Sequence, residues 1–237
     1  TGYAAIADEW IPIKPGTDGA LFMALMHELV ANELIDREFL QRYTNAPNLV
    51  VTDPDSERDG LFAFDPAGGP APDGRHPHNK LVWDRRSNAV QRAQTDAARE
   101  VEPVLEGRFR LADGTPVATA FTLLKERLHA CTPAWAAAIT GIPADRIRRL
   151  AREIGETAMH RAFELPVAWT DVWGTEHASV TARPVAFHAM RGLAAHSNGF
   201  QTVRALSVLM SLIGTIDRPG GFRHKAPYPR HIAPNYR

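Results

Sequence analysis

The stretch His196-Ser-Asn-Gly-Phe-Gln-Thr202 leads into an apolar run that closes with Gly214-Thr-Ile-Asp-Arg-Pro-Gly-Gly221. The first part reads as a polar loop, the apolar run has helical spacing, and the glycines of the last part predict a tight turn. A polar loop at a helix start can hold a phosphate group against free backbone N–H groups. The whole unit therefore predicts a site for a phosphate-rich cofactor.

A similar unit, Lys14-Pro-Gly-Thr-Asp-Gly-Ala-Leu21, lies near the other end of the chain. It too places a glycine-bearing loop directly before a helix with an apolar face. Two loop-to-helix units in one chain indicate a large cofactor with two anionic arms.

Bulk composition narrows the class of protein. The chain has 237 residues, 44% of them apolar, which is enough for one large core or two small ones. The formal net charge is zero, so the composition does not indicate a large nucleic-acid-binding surface. Cys131 is the single cysteine, which excludes an intramolecular disulfide and an all-cysteine iron–sulfur or zinc site within this chain. No apolar run approaches the roughly 20 residues of a membrane-spanning helix.

Strand-like and helix-like segments alternate along much of the chain, which favours an α/β fold. Extended segments are expected at residues 9–13, 81–84, 163–169 and 184–190. Helices are expected from Thr17 or Asp18, over 36–43, after Thr132-Pro133, from Pro143 to a stop at Gly155, and over 202–213 with Gly214 as its end. We expect a mainly parallel sheet with flanking helices, the Rossmann-like central part of a domain.

Residues 52–80 interrupt this pattern, because they are rich in proline, glycine and aspartate and have almost no periodicity. They predict a long irregular insertion, and residues 107–114 after it predict a small hairpin that ends in Asp-Gly. The chain then divides into a first cofactor unit (1–51), the insertion with its hairpin (52–114), and a helical segment with the second cofactor unit and a basic tail (115–237). We expect the three segments to form one α/β domain.

The first unit offers four candidate cofactor-binding residues, Pro15, Gly16, Thr17 and Asp18. Pro15 stiffens the loop, Gly16 lets a ligand approach the backbone, and the helix start supplies free N–H groups. The Asp18 carboxylate could accept two hydrogen bonds from the N1–H and amine edge of a guanine. The alternative is that Thr17 or Asp18 only caps the helix.

The second unit offers five candidates, Arg191, Gly192, His196, Ser197 and Asn198. Arg191 and Gly192 are expected at the carboxyl end of a strand, where ligands bind in open α/β sheets. Gly192 permits close approach, as does Gly199, while Ser197 and Asn198 supply neutral hydrogen bonds. Arg191 and His196 could face an anion. The alternative is a polar loop that ends in a Thr202 cap.

Three further features have simpler interpretations. His76-Pro-His78 lacks nearby carboxylates or cysteines at ligand spacing, so we interpret it as a solvated loop rather than a metal site. Cys131 precedes a helix start, which could lower its pKa, but a partly buried inert thiol is the favoured interpretation. Residues 136–151 resemble a helix-turn-helix whose second helix carries several arginines, yet the apolar face of that helix is already committed to a core.

The motifs, taken in order, resemble a known family. They are Trp10-Ile-Pro-Ile-Lys-Pro-Gly-Thr-Asp-Gly-Ala-Leu21, Thr140-Gly-Ile-Pro-Ala-Asp-Arg-Ile-Arg-Arg-Leu-Ala151, Arg191-Gly192, His196-Ser-Asn-Gly199 and Arg218-Pro-Gly-Gly221. This series is similar to the catalytic subunits of the molybdopterin oxidoreductases, the dimethyl-sulfoxide reductase family. Leu165-Pro-Val-Ala-Trp-Thr-Asp171 adds a likeness to the members that act on small sulfur oxyanions, with sulfite oxidation favoured over thiosulfate, polysulfide or tetrathionate reduction.

The resemblance implies a molybdenum or tungsten ion held by two pterin guanine dinucleotides. Pro15, Gly16, Thr17 and Asp18 would then lie at a guanine dinucleotide. Gly192, Ser197 and Asn198 would contact the pterin or a diphosphate. Arg191 and His196 become the catalytic candidates, as electrostatic help for an anionic substrate or the pterin, and no residue of this chain is expected to bind the metal.

In this family the iron–sulfur cysteines and the protein ligand to molybdenum lie upstream of the Pro-Gly-Thr-Asp motif, and the chain starts a few residues before that motif. The resemblance therefore implies an internal piece of a catalytic subunit, with further cofactor-binding sequence missing after it, that does not turn over alone. Its partners would be the remainder of that subunit, a membrane anchor and an iron–sulfur electron-transfer subunit, with no nucleic acid and no membrane span of its own. The expected location is cytoplasmic and membrane-associated through partners, or else periplasmic.

Two other functions stay open at this point. A stand-alone guanine-nucleotide-binding module would use the same loops without redox chemistry. A DNA-binding regulator would use the arginines of the helix that follows Pro143, and its binding would be salt-sensitive.

Overall fold

The computed structural model describes residues 2–65, 80–93, 101–171 and 174–222. The helices are α1 (Asp18–Ala31), α2 (Arg37–Tyr43), α3 (Ala120–His129), α4 (Pro133–Thr140), α5 (Ala144–His160) and α6 (Gly199–Leu212). The strands are β1 (Leu49–Val51), β2 (Leu81–Asp84), β3 (Ala89–Arg92), β4 (Arg108–Arg110), β5 (Pro116–Thr119), β6 (Phe163–Leu165), β7 (Trp169–Thr170), β8 (Glu176–His177) and β9 (Val180–Ala182). Two 3-10 turns cover Gly2–Ala5 and Arg191–Ala194.

The main core is helical, with α1 at its centre. Helix α1 packs against α3, α4, α5 and α6, so apolar side chains on most of its circumference are covered. Leu29 of α1, Ile147 of α5 and Leu209 of α6 are fully buried in this cluster. A second, smaller cluster lies under the sheet of β1, β5 and β4 and includes Leu49 and Val117.

The prediction of a mainly parallel sheet is wrong. The sheets are small and antiparallel: β1-β5-β4, β2-β3, β6-β9 and β7-β8. A parallel sheet needs a strand before each crossover helix, and neither residues 9–13 nor 184–190 form one. Side chains of both segments, such as Ile13 and Phe187, pack against the helical cluster, so contacts between helices form the core in place of the expected sheet.

Local signals predicted several elements correctly. The Asp36 carboxylate caps α2 by accepting a hydrogen bond from Phe39 N. Thr132 caps α4 with Pro133 in the first turn, as the Thr-Pro pair predicts. Residues 81–84 form β2. A hairpin is also present, but it extends beyond the predicted 107–114, because β4 pairs with β5 and Asp113-Gly114 lies in the connection between these strands. The described part of the irregular insertion, 52–65, has turns and isolated bridges, while residues 66–79 with His76 and His78, and the basic tail after Phe222, lie outside the described residues.

Gly155 does not end α5, contrary to the prediction, because that helix continues to His160. A Cβ on Gly155 would lie 2.7 Å from Leu29 Cδ2 and 2.7 Å from Leu34 Cβ. The glycine therefore lets α5 approach the end of α1 closely, and its small size is used for packing rather than for termination. Gly214 does follow the end of α6, and a Cβ there would collide with the Asp36 carboxylate.

Asp36 and Arg183 form a buried ion pair whose further hydrogen bonds join three helices. The Asp36 carboxylate accepts a hydrogen bond from Arg183 Nη2 at 2.8 Å, with the two side chains 6% and 13% exposed. Arg183 Nη1 donates to Ala158 O of α5, and Asp36 N donates to Leu212 O at the end of α6. Asp36 thus ties the start of α2 to the ends of α5 and α6.

We expect Arg183→Met to lower the free energy of unfolding by about 3–5 kcal/mol, because it leaves the Asp36 carboxylate buried without its cation. Arg148→Met is the matched control, since Arg148 pairs with Asp145 at 2.5 Å on the exposed face of α5. That variant should lose no more than about 1 kcal/mol. Urea unfolding of both variants measures the difference, and equal losses would contradict the importance of the buried pair.

Candidate functional site

Helices α1 and α6 lie side by side and run in the same direction. At their starts, a Cβ on Gly19 would lie 3.1 Å from Thr202 Oγ1, so the first turns nearly touch. At their far ends, Asp36 N, just beyond α1, donates to Leu212 O, the last residue of α6. The N-termini of both helices therefore meet at one edge of the helical core.

The loops that precede these two helices are in direct contact. Asn198 Nδ2 donates to Gly16 O at 3.0 Å. The ring of His196 lies against the Gly16 backbone, since a Cβ on Gly16 would be 3.3 Å from His196 Nδ1. Gly16 has a φ of +78°, a conformation that favours glycine. The structure thus brings together two units that lie 180 residues apart in the sequence. The first contacts the second through Gly16, and the second contacts the first through residues 196–198.

Backbone donors are available at this junction. Within the part of the chain that the structure describes, the N–H groups of Asp18 and Gly19 in α1, and of Phe200 and Gln201 in α6, have no acceptor. Each helix start also carries the positive end of its dipole. Two adjacent starts with free N–H groups make an arrangement that suits a phosphate or diphosphate.

Neither Thr17 nor Asp18 makes a side-chain cap hydrogen bond in α1, which gives the capping alternative no support from the side chains. Thr17 is at the N-cap position, but its hydroxyl donates back to Lys14 O at 2.7 Å. Asp18 is the first residue of α1 and is half-buried, and its carboxylate has no hydrogen-bond partner among the described residues. The carboxylate is therefore available to a ligand. Pro15 lies exposed on the same loop.

In the second unit, the segment before the loop differs from the prediction. Arg191 and Gly192 do not follow a strand, but lie in an exposed 3-10 turn that packs on α6. Thr202 is not the cap of α6, because that helix already begins at Gly199. His196, Ser197 and Asn198 are all exposed on the connecting loop.

One contact at the junction was not predicted from the sequence, whereas the small size needed at two glycines was anticipated. The Gly19–Thr202 contact has no local signal beyond a small residue in the first turn of α1, because it depends on how two distant helices pack. Gly199 was expected to permit close approach, and a Cβ there would collide with Ala194 O. Gly192, by contrast, has open space around its Cα, which leaves room for a ligand.

Three of the four arginines near the start of α5 are paired with acids, and Arg152 is exposed. Arg146 and Arg149 both bind Glu9, with N–O distances of 2.6 Å, and the pKa of Glu9 is lowered by Arg149 and then Arg146. Arg148 pairs with Asp145. These contacts reduce the positive surface that a DNA-binding helix would need.

Cys131 is buried, and burial raises the pKa of its thiol. The burial is as predicted, and a thiol with a raised pKa favours the inert interpretation over a reactive one. Among the described residues, no group of three or more histidine, cysteine, aspartate or glutamate side chains is arranged to hold a metal ion. Over the same residues, no helix has the length and apolar character needed to cross a membrane.

The paired loop-to-helix units and the ordered motifs agree with comparison to known proteins. The chain belongs to the molybdopterin oxidoreductase family, whose model matches residues 2–235. This confirms the family resemblance drawn from the motifs.

Individual relatives refine the comparison. A sulfite dehydrogenase subunit of Allochromatium vinosum is 60% identical over 234 residues, which cover 99% of this chain and 24% of that protein. The alpha chain of the perchlorate reductase of Dechloromonas aromatica is 32% identical, over 62% of this chain and 18% of that protein. Dimethyl sulfoxide reductase DmsA of Escherichia coli is 27% identical, over 90% of this chain and 16% of that protein. The chain therefore spans about a quarter or less of the length of these relatives.

The Gly16–His196 contact can be tested with two glycine variants that have the same backbone strain. Gly16 and Gly60 both have positive φ, +78° and +75°, but nothing lies within 4 Å of a Cβ on Gly60. We expect Gly16→Ala and Gly60→Ala each to lower the free energy of unfolding by about 1–2 kcal/mol, because an alanine is strained at positive φ. In NMR spectra the His196 ring signals should move in Gly16→Ala alone, and movement in both variants would argue against the contact.

Proposed function

We propose that this chain forms part of the cofactor-binding core of a molybdenum oxidoreductase catalytic subunit, where it holds guanine dinucleotide arms of the pterin cofactor. The observation that carries the proposal is the contact between two glycine-bearing loops at the adjacent N-termini of parallel helices α1 and α6. Membership of the molybdopterin oxidoreductase family supports the same assignment.

The residues present fit a group with two diphosphate arms. The free N–H groups of Asp18 and Gly19 would bind one diphosphate, and those of Phe200 and Gln201 the other. Nothing lies within 4 Å of a Cβ on Gly192, which leaves the backbone there accessible. Ser197 and Asn198 are exposed beside these groups and would add neutral hydrogen bonds to a pterin or phosphate.

The first loop is the one we assign to guanine recognition. Pro15, Gly16 and Thr17 shape the loop, and Thr17 holds its own position through the bond to Lys14 O. The Asp18 carboxylate, which has no partner among the described residues, would accept from the N1–H and amine of guanine. Two charge-assisted hydrogen bonds on one base edge would select guanine over adenine.

The cofactor, when bound, supplies two-electron oxygen-atom transfer at molybdenum or tungsten. Arg191 and His196 are the catalytic candidates of this chain, because both are exposed on the segment that leads into α6. A cation there would stabilise negative charge on a substrate or on the pterin. No residue that we assign to the site is a metal ligand.

We further propose that the substrate is a small sulfur oxyanion, with sulfite oxidation favoured. The support is the 60% identity to the sulfite dehydrogenase of Allochromatium vinosum, which is far above that to the dimethyl sulfoxide and perchlorate reductases. Several relatives are named as subunits, so the proposed partners are the rest of the catalytic subunit, a membrane anchor and an iron–sulfur electron-transfer subunit. Electrons would leave through iron–sulfur clusters outside this chain, at the cytoplasmic face of a membrane or, as the alternative, in the periplasm.

A stand-alone guanine-nucleotide-binding module is the second candidate function. The same free N–H groups and the same Asp18 carboxylate favour it, because they do not require redox chemistry. The nucleotide-binding module and the oxidoreductase differ in one measurable property, because a longer protein that only binds nucleotide would retain no molybdenum.

We expect Asp18→Ala to weaken binding of GDP to this chain roughly ten- to hundredfold, because hydrogen bonds to a charged group are lost. Asp145→Ala is the matched control, since Asp145 is also an acid in the first turn of a helix but lies on α5. Titration calorimetry should show that the parent chain prefers GDP to ADP and that Asp18→Ala removes this preference.

The longer subunit that carries the same substitution separates the two candidate functions. Lower molybdenum content in its Asp18→Ala variant supports the oxidoreductase, whereas a parent subunit that retains no molybdenum supports the nucleotide-binding module. Equal GDP affinity in Asp18→Ala and in the parent would contradict the guanine assignment in both.

A further inference from the structure

The peptide unit between Gly16 and Thr17 is held at both of its polar ends. Its carbonyl oxygen accepts a hydrogen bond from Asn198 Nδ2 at 3.0 Å, and its N–H donates to Lys14 O at 3.2 Å. This peptide leads directly into the first turn of α1, where the free N–H groups lie. Its orientation therefore sets the direction in which those donors point.

Asn198 is itself fixed to the start of the other helix. Its main-chain carbonyl oxygen accepts a hydrogen bond from Thr202 N at 3.0 Å. The next residue, Gly199, donates its N–H to His196 O at 2.9 Å. Asn198 is at the N-cap position of α6, but its side chain makes no cap hydrogen bond within that helix. It reaches across to the first loop instead. A displacement of either helix start must therefore move or break the Asn198–Gly16 bond.

We propose that Asn198 is a positioning residue that couples the two cofactor loops, so that an anionic nucleotide bound at one loop orders the other. This inference rests on the proposed function, because it concerns the same two loops. Coupling of this kind is reciprocal, so each arm of the cofactor would strengthen the binding of the other. The His196 ring against Gly16 adds a second contact between the same loops.

A direct role would make a different prediction. If Asn198 acted only as a hydrogen-bond donor to the phosphate or pterin, its loss would weaken ligand binding and leave the first loop unchanged in the ligand-free chain. If Asn198 couples the loops, its loss loosens residues 14–21 before any ligand is added. Amide hydrogen exchange distinguishes these two roles without enzyme activity.

The matched variants are Asn198→Ala and Asn32→Ala. Asn32 Nδ2 also donates to a main-chain oxygen, Glu28 O at 2.7 Å, and it is also exposed, but it lies at the opposite end of α1. In the ligand-free chain we expect the amides of Thr17, Ala20 and Leu21 to exchange about fivefold faster in Asn198→Ala, the effect of one net hydrogen bond. Asn32→Ala should leave these three amides unchanged, and unchanged exchange in Asn198→Ala would overturn the proposal.

GDP serves as the probe for the second part of the test. In the parent chain, GDP should slow exchange at Gly199 and Thr202 as well as at Thr17, and in Asn198→Ala the protection should be confined to one loop. Protection of both loops in that variant would overturn the coupling. If the parent chain does not bind GDP, the proposed function fails, while the ligand-free exchange still decides whether Asn198 couples the loops.

Discussion

The parallel contact between α1 and α6 is the constraint on which the rest of the structure depends. Gly19 lies against Thr202 at the two starts, and at the other end Asp36 N, at the start of α2, donates to Leu212 O, the last residue of α6. Between these points the helices bury apolar residues such as Leu29 and Leu209. Because both helices point the same way, their positive ends and free N–H groups add at one edge of the core.

The two ends of this helix pair have different chemistry. At the far end, charge is buried and paired: Asp36 binds Arg183, and Arg183 donates to Ala158 O, while Arg183 Nε has no partner among the described residues. At the near end, polar groups are exposed and backbone donors are unpaired among the described residues. Loss of either partner at the far end would leave a charge buried alone, while the near end keeps free the donors that the proposed cofactor would bind. The site is made mainly of backbone, so helix placement matters as much as side-chain identity.

Short-range signals predicted individual elements well, and long-range signals did not. Thr132 caps its helix as expected, and the helix predicted over 36–43 forms with Asp36 as its cap, because a cap depends only on neighbours three residues away. The prediction of a parallel sheet was wrong. Alternation of strand-like and helix-like segments along the sequence does not specify which strand-like segments pair with one another. Gly155 was predicted to end a helix, because the neighbouring residues in the sequence do not show that Leu29 and Leu34 pack against it.

By itself, the sequence determined the family, the loop-to-helix units and the candidate residues from Pro15 to Asp18 and from Arg191 to Asn198, because these depend on local order along the chain. Only the tertiary structure decided that His196 and Asn198 contact Gly16, that the Thr17 hydroxyl bonds to Lys14 O instead of capping α1, and that the core is helical with antiparallel sheets beside it. The physical reason is that hydrogen bonds and packing contacts between residues far apart in sequence depend on how whole helices pack together, and no short pattern encodes that.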